Sequence, residues 1–238
     1  MNTDMIDFLL RDSWFEKKYA AKSDGRFQTL KAAINLYLQA DGKTILETGC
    51  VRQLDDFGAG YSTVLFCEVL EKFGGHLWSV DINPRNVAFC EKTTQQWDGL
   101  RNVICSDSVA FLENFTEKID LLYLDSWDYP YIELLDIYGD RHNPESALKI
   151  LSTMTDDEIA ERHADMIMPS QEHCVKELEA SLHLLTPNSI ILIDDNAFPG
   201  GGKSRLAKRK LVELGWTIIN DSQQTLWIKR SVKGGCCG

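Results

Sequence analysis

The sequence is short of basic residues and has no long apolar run, and each shortage excludes a class of protein. Its 25 lysines and arginines are outnumbered by 36 aspartates and glutamates, which gives a formal net charge of -11. A phosphate backbone repels such a chain, because nucleic-acid binding normally needs clustered Lys and Arg that release counterions. No apolar run reaches membrane-spanning length. We therefore expect neither a nucleic acid nor a membrane as a partner.

The N-terminal stretch also lacks the basic start and uninterrupted apolar segment of a secretory signal. The seven cysteines are an odd number, and most lie in apolar segments, where a thiol behaves as a small hydrophobic group. Both features predict a cytoplasmic protein with reduced cysteines. Cys236 and Cys237 fall in a Gly-rich terminus, for which a flexible tail over residues 231–238 is predicted, with a metal or redox pair as the alternative.

The pattern of apolar residues predicts an α/β fold. At 238 residues and 44% hydrophobic content the chain is long enough for one full core, so a single domain is predicted over residues 1–230. Two amphipathic stretches predict a helical N-terminal cap over residues 1–40. Short buried strands then alternate with helical segments, which is typical of a doubly wound, mostly parallel sheet, here with seven strands. The predicted strands are 44–47, 76–81, 102–105, 119–125, 189–194, 216–219 and 224–229.

The predicted helices are 4–19, 25–39, 63–73, 84–97, 108–115, 171–185 and 203–214. The last two strands are separated by the turn-forming cluster Asn220-Asp221-Ser222, so we expect a C-terminal antiparallel hairpin at the sheet edge. A longer polar region, residues 129–168, follows the fourth strand. Long insertions beside a site often act as lids, and a surface helical excursion is the alternative.

Polar residues at strand ends form the candidate site, because ligands of doubly wound sheets bind outside the carboxyl ends of the strands. Glu47-Thr48-Gly49 closes the first strand, and Gly58-Ala59-Gly60-Tyr61-Ser62 precedes a helix, where glycines allow close backbone approach and the helix N-terminus favours a carboxylate. Asp81, followed by Ile82, closes the second strand and suits the two hydroxyls of a ribose. Asp107-Ser108 follows the third strand and suits an adenine edge. Surface turns and helix caps are the alternative interpretation.

This ordered set resembles the class I S-adenosylmethionine-dependent methyltransferases over residues 44–229. The resemblance implies a Rossmann-like fold with S-adenosyl-L-methionine as cofactor, its ribose held by Asp81 and its adenine flanked by Asp107 and Ser108. Further cofactor contacts are implied for Glu47, Gly49, Gly58, Gly60, Ser62, Ile82 and Asp125. A nicotinamide cofactor also uses a glycine turn followed by an acid, but Thr63 replaces the third glycine of that fingerprint.

A second cluster of oxygen donors follows two later strands. Asp125 ends one strand and Asp194-Asp195-Asn196 ends the next, so these groups should converge at one rim of the sheet. Carboxylates with an amide carbonyl suit a hard divalent ion. Both segments resemble the metal site of catechol-type O-methyltransferases, which implies Asp125, Asp195 and Asn196 as ligands of Mg²⁺, with Ca²⁺ or Mn²⁺ as alternatives. Helix capping and turn formation are the structural alternative.

In catechol-type enzymes the metal binds the acceptor hydroxyl, and a lysine shortly after the first metal Asp acts as base. Asp128 stands at that position here, so the base must lie elsewhere. The candidate catalytic groups are Asp125, His142, His173 and Lys203, with His163 as a further candidate base.

The segment after Leu124 indicates the class of acceptor. Methyltransferases acting on nucleic-acid amines are expected to carry Asn- or Asp-Pro-Pro-Tyr there, whereas this chain has Ser126-Trp127-Asp128. We therefore expect metal-assisted O-methylation of a small-molecule or glycan hydroxyl, with the insertion 129–168 selecting the acceptor. A metal-independent methyltransferase and a non-catalytic S-adenosylmethionine-binding module are the open alternatives, and the sequence leaves room for a homodimer.

Overall fold

The computed structural model describes residues 14–22, 25–139 and 142–229. Its strands are Thr44–Thr48 (β1), His76–Asp81 (β2), Arg101–Cys105 (β3), Ile119–Leu124 (β4), Leu185–Ile193 (β5), Trp216–Asp221 (β6) and Thr225–Lys229 (β7). Its helices are Trp14–Tyr19 (α1), Phe27–Gln39 (α2), Ser62–Phe73 (α3), Pro84–Thr93 (α4), Ser108–Asn114 (α5), Tyr131–Tyr138 (α6), Pro144–Leu151 (α7), Asp156–Arg162 (α8), Ala164–Ser181 (α9) and Arg205–Glu213 (α10). No described helix combines the length and apolar character needed to cross a membrane.

The seven strands form one sheet in the order β3-β2-β1-β4-β5-β7-β6. The first five strands are parallel, β7 runs antiparallel to β5, and β6 pairs antiparallel with β7. This confirms the predicted doubly wound, mostly parallel sheet with a C-terminal hairpin. The strand order reverses between β1 and β4, which is where sheets of this kind open a crevice for ligands.

Apolar layers cover both faces of the sheet. Leu30 and Ile34 of α2 pack with Leu65 of α3 against one face, and Leu178 of α9 packs with Leu211 of α10 against the other. The central strands read as nearly continuous apolar runs because they are buried on both sides. The polar residues that follow these parallel strands lie together at the carboxyl rim of the sheet, which is the edge where the strands end.

Several element boundaries differ from the predicted ones. The helix predicted over 171–185 begins seven residues earlier, at Ala164, and contains Pro169. The carbonyl of His163 accepts from the N–H groups of Met166 and Ile167, so the first turn is already formed before the proline. The helix predicted over 84–97 ends at Thr93 and continues as the 3-10 turn Gln95–Trp97. Most of the predicted helix 4–19 and the tail 231–238, with Cys236 and Cys237, lie outside the described residues.

The insertion is helical and builds a small core of its own. Helices α6, α7 and α8 bury a cluster that includes Leu134, Leu151 and Ile159. Tyr129 stacks on Phe198 with 5.6 Å between ring centroids, which ties the insertion to the loop after β5. Its action as a lid stays a prediction.

Candidate functional site

A cavity of about 390 Å³ opens at the carboxyl rim of the sheet, beside the reversal of strand order. It is bordered by the segments that follow β1, β2, β3 and β4, together with part of α9. The lining residues are Gly49, Arg52, Val80, Asp81, Ile82, Asn83, Asn86, Asp107, Ser108, Asp125, Ser126, Trp127, Asp128 and His173.

Asp81 links two of these segments. Its carboxylate accepts from the backbone N–H of Cys50 at 3.3 Å and from the backbone N–H of Asn83 at 2.7 Å. The side-chain amide of Asn86 donates to the same carboxylate at 3.2 Å. Asn83 in turn caps α4 by accepting from the N–H of Arg85. The acid predicted to hold a ribose is therefore fixed at the cavity wall by three donors.

A polar network lies at the β3 side of the cavity. Asp107 caps α5 by accepting from the N–H of Ala110 at 2.9 Å. The Ser108 hydroxyl lies 3.2 Å from Nε2 of His173, and that nitrogen lies 3.4 Å from a carboxylate oxygen of Glu177. Glu177 was not identified from the sequence. It is fully buried on α9, one turn beyond His173, where only the helix geometry brings the two together.

Two large apolar side chains also line the cavity while remaining exposed. Ile82 is 69% exposed and Trp127 is 57% exposed. Trp127 adopts a backbone φ of 55°, an uncommon value for a bulky residue, and its ring centroid lies 5.1 Å from that of His173. Exposed side chains of this size at a concave site suit the flat face of an aromatic ligand.

Of the three glycines predicted to contact the cofactor, Gly49 lines the cavity, whereas Gly58 and Gly60 do not. Gly49 has a φ of 85°, and a Cβ there would lie 2.7 Å from the carbonyl oxygen of Asp125. A Cβ on Gly60 would meet the carbonyl oxygen of Cys50. Gly58 is exposed, and its carbonyl accepts from Arg52. Gly58 and Gly60 therefore shape the loop that carries Arg52.

Glu47 and Ser62, two further predicted cofactor residues, are buried behind the cavity and do not line it. The carboxyl of Glu47 accepts from Ser79 at 2.7 Å and from Ser62 at 3.2 Å. Burial raises the pKa of Glu47 to about 8, although hydrogen bonds from Thr63 and the two serines oppose this shift. These contacts join β1, β2 and α3 beneath the site.

A buried charge cluster lies below the cavity, at the ends of β4 and β5. Asp194 accepts two hydrogen bonds from Nε of Arg26, at 2.8 and 2.9 Å, and one from the Tyr123 hydroxyl at 2.7 Å. The amine of Lys203 lies 3.2 Å from Asp125 and 3.4 Å from Asp195. Burial, followed by repulsion from Asp194, raises the pKa of Asp125 well above its ordinary value.

The predicted metal ligands do not fit a divalent ion in this arrangement. The Lys203 amine bridges Asp125 and Asp195, which are two of the three expected ligands. The third, Asn196, points its amide oxygen at the Ser204 hydroxyl, 2.5 Å away. Among the described residues, no group of three His, Cys, Asp or Glu side chains is arranged to hold a metal ion.

The candidate bases are separated by the fold. His142 is exposed in the connection between α6 and α7, and His163 hydrogen-bonds the Tyr138 hydroxyl at 2.8 Å within the insertion. Neither residue lines the cavity. His173 lines the cavity beside Ser108, whereas Lys203 lies beneath it.

Other lining residues were missed as site residues. Arg52 and Asp128 form a 2.9 Å ion pair across the cavity wall, although they are 76 positions apart in the chain. The sequence could have identified Asn83, because Asn followed by Pro84 at the start of a helical pattern is typical of a helix N-terminus beside a strand end. No comparable sequence pattern identifies Arg52.

Comparison with known proteins agrees with this geometry. Residues 56–136 match a family model described as a methyltransferase domain. The chain is 25% identical over 136 residues to the O-methyltransferase ankF of Aspergillus thermomutatus, and the match covers 52% of this chain and 54% of that protein. The chain thus spans about half the length of this curated relative.

Two solved structures share the fold across nearly the whole chain. The SAH-bound methyltransferase PaMTH1 of Podospora anserina superposes with a TM-score of 0.52 at 14% identity, covering 97% of each chain. CalS11, a TDP-rhamnose 3'-O-methyltransferase of calicheamicin biosynthesis, superposes with a TM-score of 0.50 at 15% identity, covering 95% of this chain and 92% of that one. The protein therefore has the Rossmann-like methyltransferase fold, with a methyltransferase domain matched over residues 56–136.

Proposed function

We propose that the protein transfers a methyl group from S-adenosylmethionine to a hydroxyl group of a small-molecule or glycan acceptor. The observation that carries this proposal is the convergence on one cavity of Asp81, Asp107 and Asp125, which end or follow three different strands. The methyltransferase-domain match and the O-methyltransferase relative support the same reaction.

The cavity offers complementary groups to each part of the cofactor. Asp81 would accept hydrogen bonds from the ribose hydroxyls, and Ser108 with His173 would border the adenine edge. Ile82 and Trp127 would contact the adenine faces. Among the described residues that line the cavity, Arg52 carries a permanent positive charge. Its guanidinium suits the carboxylate in the methionine part of the cofactor.

The reaction needs little covalent chemistry from the protein. The acceptor oxygen attacks the methyl carbon of the sulfonium, an O–C bond forms as the C–S bond breaks, and the electron pair stays on sulfur. The acceptor hydroxyl gives its proton to the carboxylate of Asp125, which passes it on to solvent. The protein's contribution is to hold the two reactants in line and to exclude water. Asp125 at the cavity floor is the group we assign to orient the acceptor hydroxyl.

We assign no step to a metal ion, since the expected ligands do not fit one, and so favour the metal-independent alternative. A small acceptor agrees with the size of the cavity and with the acidic charge of the chain. The rhamnose-directed activity in the name of the structural relative CalS11 makes nucleotide sugars worth including among trial acceptors.

The proposal is tested in two stages on the wild-type protein. Calorimetry should show binding of S-adenosylmethionine and of S-adenosylhomocysteine at one site per chain. Incubation with labelled cofactor and a panel of phenols and nucleotide sugars should release S-adenosylhomocysteine in proportion to protein. Failure to bind either cofactor form would refute the proposal. Binding without turnover on any acceptor would favour the non-catalytic module.

A further inference from the structure

We propose that Lys203 is a built-in cation that takes the position of a divalent ion between Asp125 and Asp195. In this position it holds the Asp125 carboxylate toward the cavity and keeps divalent ions out. The part that concerns acceptor positioning rests on the proposed function, whereas the part that concerns metal exclusion does not.

The burial and the distances of Lys203 support this role. Its side chain is only 1% exposed, and its amine lies within 3.4 Å of carboxylate oxygens on both Asp125 and Asp195. The amine is therefore held between two carboxylates in a buried site.

The charges of the cluster are also close to balanced without a metal. Asp125, Asp194 and Asp195 bring three carboxylates, and Arg26 and Lys203 bring two positive charges. A divalent ion between Asp125 and Asp195 would have to take the place of the Lys203 amine. Adding such an ion would force the lysine amine out of a buried site where it has good partners.

The backbone before Lys203 explains how the amine reaches this position. Gly200, Gly201 and Gly202 all have positive φ values, of 88°, 81° and 59°. A Cβ on Gly202 would lie 2.1 Å from the carbonyl oxygen of Asp195, and the N–H of Lys203 donates to that carbonyl at 2.9 Å. The glycine run thus folds the chain back onto the end of β5 and delivers Lys203 inward.

Of the three carboxylates, only Asp125 lines the cavity among the described residues. One of its oxygens accepts from Lys203 at 3.2 Å, and the other lies 3.4 Å from the Tyr123 hydroxyl. Lys203 therefore acts on a bound acceptor through Asp125, which makes it a positioning residue.

The metal-exclusion part is tested by Mn²⁺ binding, followed by electron paramagnetic resonance and by the melting temperature. Wild-type protein should show no saturable site, and Lys203→Met should gain one Mn²⁺ site per chain with a higher melting temperature in its presence. Lys210→Met, which removes a partly exposed lysine of α10 paired with Glu179, is the matched control and should bind none.

A saturable wild-type Mn²⁺ site that is lost in Asp125→Asn would overturn the proposal, as would a folded Lys203→Met protein that gains no site. Should Lys203→Met fail to fold, the wild-type and Asp125→Asn measurements still decide between exclusion and binding.

The positioning part is tested by turnover. Wild-type activity should be unchanged by a chelator, and Lys203→Met should lower kcat about 100-fold with little change in KM for S-adenosylmethionine. Added Mn²⁺ should restore part of this activity, and Lys203→Arg should retain more of it than Lys203→Met. Loss of wild-type activity on chelation would refute this part. A wild-type protein without turnover would count against the proposed function and leave the Mn²⁺ result standing.

Discussion

The carboxylate of Asp81 accepts a hydrogen bond from the backbone N–H of Cys50 at 3.3 Å, which joins the end of β2 to the segment that leaves β1. This contact aligns the acid with Gly49, the one glycine of the predicted cofactor set that lines the cavity. Cofactor binding should therefore depend on Asp81 more than on the glycine turn.

Asp81→Ala is expected to weaken S-adenosylhomocysteine binding by about 10- to 100-fold, because hydrogen bonds to a charged group contribute about 1.5–3 kcal/mol. Calorimetric titration measures the change. Glu113→Ala, an exposed acid of α5 outside the cavity, is the matched control and should bind like the wild type. Equal affinities in the two variants would remove Asp81 from the cofactor site.

Trp127→Ala should weaken binding of S-adenosylmethionine by about 10-fold, since stacking of a base on an aromatic ring contributes about 1–3 kcal/mol. Because the side chain is more than half exposed, the unfolding free energy should change by less than about 0.5 kcal/mol. Fluorescence titration and urea unfolding measure the two effects. Ile137→Ala, an exposed apolar position of the insertion, should affect neither, and a Trp127 variant with unaltered affinity would contradict the assignment.

Glu47 should make the protein less stable as the pH rises. Its pKa is about 8 in the folded protein against an ordinary value of 4.5, so folding favours the protonated carboxyl. The resulting stabilisation is fully present below pH 4.5 and is lost as the pH rises toward 8. At about 1.4 kcal/mol per pH unit the loss amounts to about 5 kcal/mol over this interval.

Glu47→Gln should remove this dependence, because the amide stays neutral while keeping partners in Ser79 and Ser62. Urea unfolding at pH 5, 6.5 and 8 should show the variant gaining stability relative to the wild type as the pH rises. Glu113→Gln should show no such trend. A difference between Glu47→Gln and wild type that stays constant with pH would mean that the buried carboxyl is ionised throughout.

Gly60→Ala should destabilise the fold by about 2–4 kcal/mol, because the residue has a φ of 77° and its Cβ would meet the Cys50 carbonyl. Gly58→Ala should cost less than about 1 kcal/mol, since its nearest obstacle is the Asp56 side chain at 3.3 Å in an exposed turn. Thermal unfolding of this pair compares two glycines that look equivalent in the sequence. Equal losses would show that the turn is not shaped by Gly60.

The sequence predicted which residues gather at the cavity where the information was local. Asp81, Ile82, Asp107, Ser108 and Asp125 all lie at or just after the carboxyl end of a parallel strand, and parallel strands bring these ends to one rim of the sheet. The same argument could not predict that Gly49 lines the cavity and Gly60 does not. A glycine allows the backbone to come close to a ligand and equally to another backbone segment, so the residue type does not distinguish the two cases.

The sequence by itself determined the order of strands and helices outside the insertion and the rim at which the acids meet, since hydrophobic periodicity is a local property and parallel pairing gives the first five strands the same direction. Only the tertiary structure decided which side chains those acids contact. Arg26 reaches Asp194 across 168 positions, and Lys203 reaches Asp125 across 78. Such pairings depend on the packing of α2 and on the path of the glycine loop after β5, and no local pattern encodes them.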